Sequence, residues 1–279
     1  MEDLRMQLKQ LYDNQEMCGT TSGYGDWDGL AGGLVRGGLT LLAGRPGMGM
    51  TTLALNMIHR IARKQNGTIL FFTPALTQSE VCARLLQIGL GVSAGRLFDG
   101  SLQPAEAEAK CGEMLAQSKG KIQVHDIGSL DMDYIQETCF QIPDVQMVVV
   151  DSPENLWMSA NRYDLTAQNR LRREPMDQTV RKLQNLAKSC NVPVVCTVRL
   201  HRSIENRKDK RPKLQDLEKS NVPVSYADQV VFLYRNDYYQ LAQESTLSCI
   251  VAKTPFGQTG TFSLHWCWAN DEISETENP

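Results

Sequence analysis

Residues Gly44-Arg45-Pro46-Gly47-Met48-Gly49-Met50-Thr51-Thr52 have the spacing of a phosphate-binding P-loop, with methionine at position 50 where a lysine would complete it. Gly44, Gly47 and Gly49 permit a tight loop whose backbone N–H groups face a polyphosphate, and the Thr51 hydroxyl can meet Mg²⁺ with Thr52 beside it. The cradle is kept and its fixed positive charge is lost, so the exchange removes electrostatic assistance to phosphoryl transfer rather than shape. A hundred residues on, Val145-Gln146-Met147-Val148-Val149-Val150 ends in Asp151, a carboxylate placed to hold a magnesium ion together with Thr51.

These groups work only if strands and helices bring them together. The loop follows the apolar run Gly38–Ala43 and precedes Thr52–Ile58, whose apolar spacing suits a helix: strand, glycine loop, helix. Further strands are expected at Thr68–Phe72, Ile122–Val124, Val192–Val198, Gln229–Tyr234 and Ser248–Lys253. Gly260–Trp266 is expected to close the folded part. Helices are expected over Gln78–Leu90, Pro104–Gln117 and Gln168–Cys190, and turns over Gly19–Gly38. The alternation predicts an α/β fold, a mostly parallel central β-sheet flanked by helices. Leu4, Leu8 and Leu11 space like one face of a short helix within residues 1–18, and the acidic tail 269–279 is expected to be loose.

The chain has 279 residues and a formal net charge of −3, which argues against a strongly basic nucleic-acid-gripping domain. Arg199–Lys213 is nevertheless densely basic. The eight cysteines are scattered, with no CxxC pair and no histidine cluster at metal spacing, so free thiols are expected rather than a disulfide set or zinc site. No run is long and apolar enough to span a bilayer and the start does not read as a signal peptide; the expectation is a cytoplasmic protein with no membrane partner.

From Gly19 to Trp266 the chain resembles the C-terminal, RecA-like motor domain of DnaB-type replicative DNA helicases. The resemblance rests on Thr21–Asp28 (similar to TGFxxLD), on the P-loop with Thr52–Asn56, and most specifically on Leu200–Pro212, which is similar to LNRxxExRxDKRP. Asp216-Leu217, Ala227-Asp228, Tyr234–Tyr239 and Ala252-Lys253 follow in order. It implies a RecA-like P-loop fold over 19–268, ATP and Mg²⁺ held between subunits of a hexameric ring, single-stranded DNA, and replication proteins or helicase-family subunits as partners. Residues 1–18 resemble the family's linker helix; its amino-terminal primase-interacting domain is not expected within this chain.

The departures fall on the residues to which the family assigns catalysis. Met50 stands at the Walker lysine, Ala75 at the catalytic carboxylate, Arg199 at the glutamine that senses the γ-phosphate, and Pro255 at the arginine finger, while Lys253 persists. In the DNA-gripping loop, Glu218 replaces an arginine beside Lys219; Arg202, Arg207 and Lys219 remain as DNA-contact candidates. An arginine finger alone is worth about 10³–10⁵ in rate. Three function classes stay open: a hydrolysis-deficient relative acting by assembly, an active ATPase with relocated groups (Glu80 or Glu154 as base; Arg45, Arg199 or Lys253 as phosphate clamp), and a nucleotide-free scaffold whose loop is filled by Met48 and Met50.

Overall fold

The computed structural model describes residues 19–99, 101–128, 130–156, 175–239 and 246–276. Among them, nine strands form one sheet: β1 (Leu39–Gly44), β2 (Thr68–Phe72), β3 (Lys121–His125), β4 (Val145–Val150), β5 (Val194–Arg199), β6 (Gln229–Arg235), β7 (Thr246–Lys253), β8 (Gly260–Cys267) and β9 (Glu272–Glu275). Their order is β3-β2-β4-β5-β1-β6-β7-β8-β9. The pairs from β3 to β6 are parallel and those from β6 to β9 antiparallel.

Apolar runs make the central strands because both faces of a helix-covered sheet are buried. Along β4, Met147 and Val149 enter one core and Val148 and Val150 the other; in β2, Ile69 and Phe71 alternate likewise with Leu70 and Phe72. The first core is covered by α1 (Gly25–Ala31), α2 (Met50–Lys64) and α3 (Gln78–Leu90). The second is covered by α6 (Met132–Gln141), α7 (Met176–Cys190) and the short α8 (Leu214–Glu218), whereas α4 (Ala94–Phe98) and α5 (Pro104–Gln117) lie between α3 and β3 in the chain.

The parallel sheet, the strand sites and the helix-flanked architecture agree with the expectation from sequence. Three readings change. The glycine-dense stretch is not all turn: α1 lies within it, anchored by fully buried Trp27, while the Asp28 carboxylate accepts from the Ser22 N–H at 2.8 Å. The fold does not close at Trp266, and the tail expected to be loose from residue 269 contributes β9. Ile273 is completely buried there, its N–H donating to Asn56 Oδ1 at 2.9 Å and its carbonyl accepting from Arg60 at 2.9 Å and Tyr24 at 3.1 Å. The leucine face of residues 1–18 and the first part of the helix expected over 168–190 lie outside the described residues.

Candidate functional site

The carboxyl ends of β1, β4 and β5 meet at one edge of the sheet, where an α/β fold places ligands. The P-loop leaves β1 there and turns into α2. Gly47 and Gly49 have φ of 82° and 86°, and Gly49 caps α2 in a left-handed conformation. A Cβ at Gly49 would stand 2.6 Å from Trp266 of β8, so this position admits only glycine without rearrangement. Arg235, which packs on the Trp266 ring at 4.8 Å, donates to the Gly47 carbonyl at 2.6 Å and pairs with Asp237 at 2.7 Å, fixing the loop to the end of β6.

Next to the loop lies an open cleft of about 310 Å³, within the range of small-ligand sites. Met50, Thr51 and Thr52 line its floor. The Thr51 hydroxyl donates to both Asp151 oxygens at 3.0 Å, and Thr197 of β5 donates to one of them at 2.9 Å. Asp151 is 2% exposed, and this burial pushes its carboxyl above the usual aspartate range; the hydroxyls of Thr197 and Thr51 and the charge of Arg84 pull the other way. A buried carboxylate and an adjacent hydroxyl are hard oxygen donors facing a cleft, a set that fits Mg²⁺, which commonly takes one or two protein oxygens and fills its remaining positions with phosphate and water. Bound there with nucleotide, Mg²⁺ would supply positive charge against the phosphates.

Two arginines stand on the walls. Arg199 ends β5 and lies 3.5 Å from Glu154, a weak, largely solvated pairing. Arg84 comes from α3 and was not found by sequence reasoning, because position 84, next to the apolar stripe of Val81, Leu85 and Ile88, reads as an ordinary flank of an amphipathic helix. Thr197 was missed, and Trp266 reads from sequence as a core or edge residue, for the same kind of reason: each sits in a strand and gives no local sign of the loop that folds against it.

The remaining candidates separate. Met48 is buried in the core against the β1 end, whereas Met50 faces the cleft, so the pair does not jointly fill the loop. Ala75 lies exposed after β2 and is not part of the cleft wall. Glu80 is the reciprocal partner of Thr77 in the cap of α3, which removes it as a base. Arg45 turns away to Glu205 at 2.9 Å and to the Leu200 carbonyl at 2.7 Å, which removes it as a phosphate clamp. Lys253 pairs across β7 with Val230, near the amino end of β6, and donates to the carbonyls of Val224 and Ala227 at 3.0 and 2.6 Å. It and Pro255 therefore lie at the opposite edge of the sheet from this chain's own cleft, so Lys253 is not a ligand of it. Arg207 is a strut, paired with Asp216 at 3.0 Å and donating to the Arg211 carbonyl at 2.7 Å, and is not free for DNA. Arg202 and Lys219 are exposed on two loops joined by the His201 N–H donating to Ser220 Oγ at 2.8 Å.

With this geometry, the similarities to known proteins are specific. The model of the DnaB-like helicase C terminal domain matches residues 19–274. The chain is 30% identical over 270 residues to the replicative DNA helicase DnaB of Geobacillus stearothermophilus, covering 92% of this chain and 58% of that protein. It is 27% identical over 276 residues to the replicative DNA helicase DnaC of Bacillus subtilis (strain 168), covering 94% of this chain and 60% of that protein. The chain thus spans less than two thirds of the length of these relatives. A solved ATPase domain superposes with a TM-score of 0.82 at 25% identity, over 98% of this chain and 99% of that one. A DnaB-like replicative helicase, solved in a study of its interactions with primase, shares the fold with a TM-score of 0.81 at 24% identity, over 99% of this chain and 67% of that one.

Proposed function

Because this chain belongs to the DnaB-like helicase C-terminal domain family, we propose that it is a nucleotide-holding relative of the replicative motor, deficient in hydrolysis, that serves DNA replication by assembling with its own copies or with helicase subunits. The observation that carries this reading is a contrast inside one cleft. The Thr51–Asp151 pair stands at 3.0 Å beside an open P-loop, while Met50 occupies the place of the lysine and Ala75 points no carboxylate into the site. Thr51 and Asp151 would hold Mg²⁺; Arg199 and Arg84 would meet the phosphates in place of the lysine. What the cleft lacks, among the described residues, is a base held next to an attacking water and, from this chain, any cation reaching from the distal edge of the sheet. Exposed Arg202 and Lys219 would offer a modest single-stranded DNA contact. The open cleft speaks against the scaffold reading, since a filled loop would leave no room for ligand.

Glu154 keeps a second reading alive, that of a rewired ATPase: it lines the cleft and lies 3.5 Å from Arg199, so the γ-phosphate could claim the arginine and free the carboxylate as base. Titration of ATP-Mg²⁺ into the protein, with phosphate release followed with and without single-stranded DNA, separates the two. The proposal expects saturable binding and no DNA-stimulated release. Release above background that Glu154→Gln abolishes would establish the enzyme instead.

A further inference from the structure

The two ends of the sheet are finished differently. At β9 the outward backbone groups are engaged: the Ile273 N–H donates to Asn56 Oδ1 at 2.9 Å, and its carbonyl accepts from Arg60 and Tyr24. At the other end β3 pairs with β2 alone. The Lys121 N–H donates to the Gly67 carbonyl and the His125 carbonyl accepts from the Thr73 N–H, each at 2.9 Å, so the odd-numbered residues of β3 direct their backbone groups at β2. Strand alternation turns the N–H and C=O of Ile122 and Val124 to the free edge, where they have no hydrogen-bond partner among the described residues. Beside this edge lies a groove of about 770 Å³ between α2, α3 and α5. Its walls are apolar, with Leu85 and Leu86 of α3, Met114 and Leu115 of α5, and Ile122 itself; Leu115 is 67% exposed. Its cations Arg63, Lys119 and Lys121 are exposed, and none of its described lining residues is acidic.

We propose that β3 is a docking edge for an extended acidic segment of a partner protein, which adds to the sheet as one further strand. It bonds to the Ile122 and Val124 backbone, lays its apolar side chains in the groove under α3 and α5, and sets its carboxylates beside Lys119 and Lys121. The backbone bonds give such a strand affinity, and the groove and the lysines select its sequence. A second copy of this chain offers the wrong charge, because β3 set against β3 would bring the Lys119 and Lys121 of both copies to one edge. The docking edge is separate from the nucleotide cleft: β2 stands between β3 and β4, and no residue lines both the groove and the cleft. The two readings therefore stand or fall independently.

The probe is a capped octapeptide alternating glutamate and valine, titrated into the full chain by calorimetry while amide hydrogen exchange is followed by NMR. In the free protein the Ile122 and Val124 amides are expected to exchange quickly, and bound peptide to slow both by about tenfold or more. Two further peptides, one N-methylated at every valine and one at every glutamate, separate strand addition from adsorption: one of them binds like the parent and the other fails, since only one edge of the added strand faces β3. Lys121→Glu, with its melting transition intact, weakens the parent peptide about fivefold, and raised salt shrinks the difference. ATP-Mg²⁺ titration is the same with and without peptide. No binding at millimolar peptide, equal binding of the two methylated forms, or slow exchange at Ile122 and Val124 before any peptide is added would overturn the docking edge and leave the nucleotide cleft untouched.

Discussion

Asp151 shows at the scale of one residue what a candidate binding site costs in stability. Its carboxylate is buried, accepts from two threonine hydroxyls, and has its proton affinity raised chiefly by desolvation. The folded state then binds the proton more tightly than the unfolded chain. Without metal, the ionised residue therefore destabilises the fold increasingly as pH rises from the ordinary aspartate value through the raised one. Below that ordinary value the effect is absent. Asp151→Asn removes the ionised group and keeps an acceptor for the threonines. In EDTA the variant is expected to melt above wild type at pH 8, with the gap closing towards pH 4, and, on the proposed reading of this pair as a Mg²⁺ site, to be stabilised less than wild type by Mg²⁺ with ATP. A variant that melts below wild type at pH 8 in EDTA would show that the carboxylate is a structural anchor and not a strained ligand.

At the scale of the element, what the sequence made legible followed burial pattern. The β1, β2, β4, β5 and β6 runs are predominantly apolar because the sheet is covered on both faces, and the glycine loop between a strand and a helix is tied to its φ values at Gly47 and Gly49. Thr51 and Asp151 could be paired from sequence because each sits at a defined element end. Arg84 and the Trp266 wall could not, since nothing local in a helix flank or an alternating outer strand says which distant loop it will touch. The same limit explains β9. Residues 272–275 read as an acidic, solvated tail, yet Ile273 fills a pocket over α2 and meets the side-chain amide of Asn56, a tertiary fit invisible to composition. Ile273→Ala should therefore cost about 2–5 kcal/mol in urea unfolding, as for other buried aliphatic truncations. No measurable loss would mean that the tail is as loose as its composition suggests.

Across the whole molecule, the polarity of the sheet decides which groups one chain can supply to one nucleotide. Parallel β1, β4, β5 and β6 carry the P-loop, Asp151, Arg199 and Arg235 to one edge, and the antiparallel return of β7 carries Lys253 and Pro255 to the other. The turn after Lys253 is packed onto α1: Gln258 donates to the Leu30 carbonyl at 2.7 Å, and a Cβ on Gly257 would stand 2.4 Å from the same oxygen, so this edge cannot swing back to its own cleft. Lys253 can meet a nucleotide only if that nucleotide belongs to another chain. Lys253→Met is accordingly expected to leave ATP affinity unchanged in a sample that light scattering shows to be monomeric, and to weaken nucleotide-dependent assembly where assembly occurs. The measurement is ATP titration alongside mass in solution at low and high protein concentration. A loss of affinity in the monomer, with the melting transition intact, would place the lysine in its own chain's cleft and contradict the sheet geometry on which an assembly role depends.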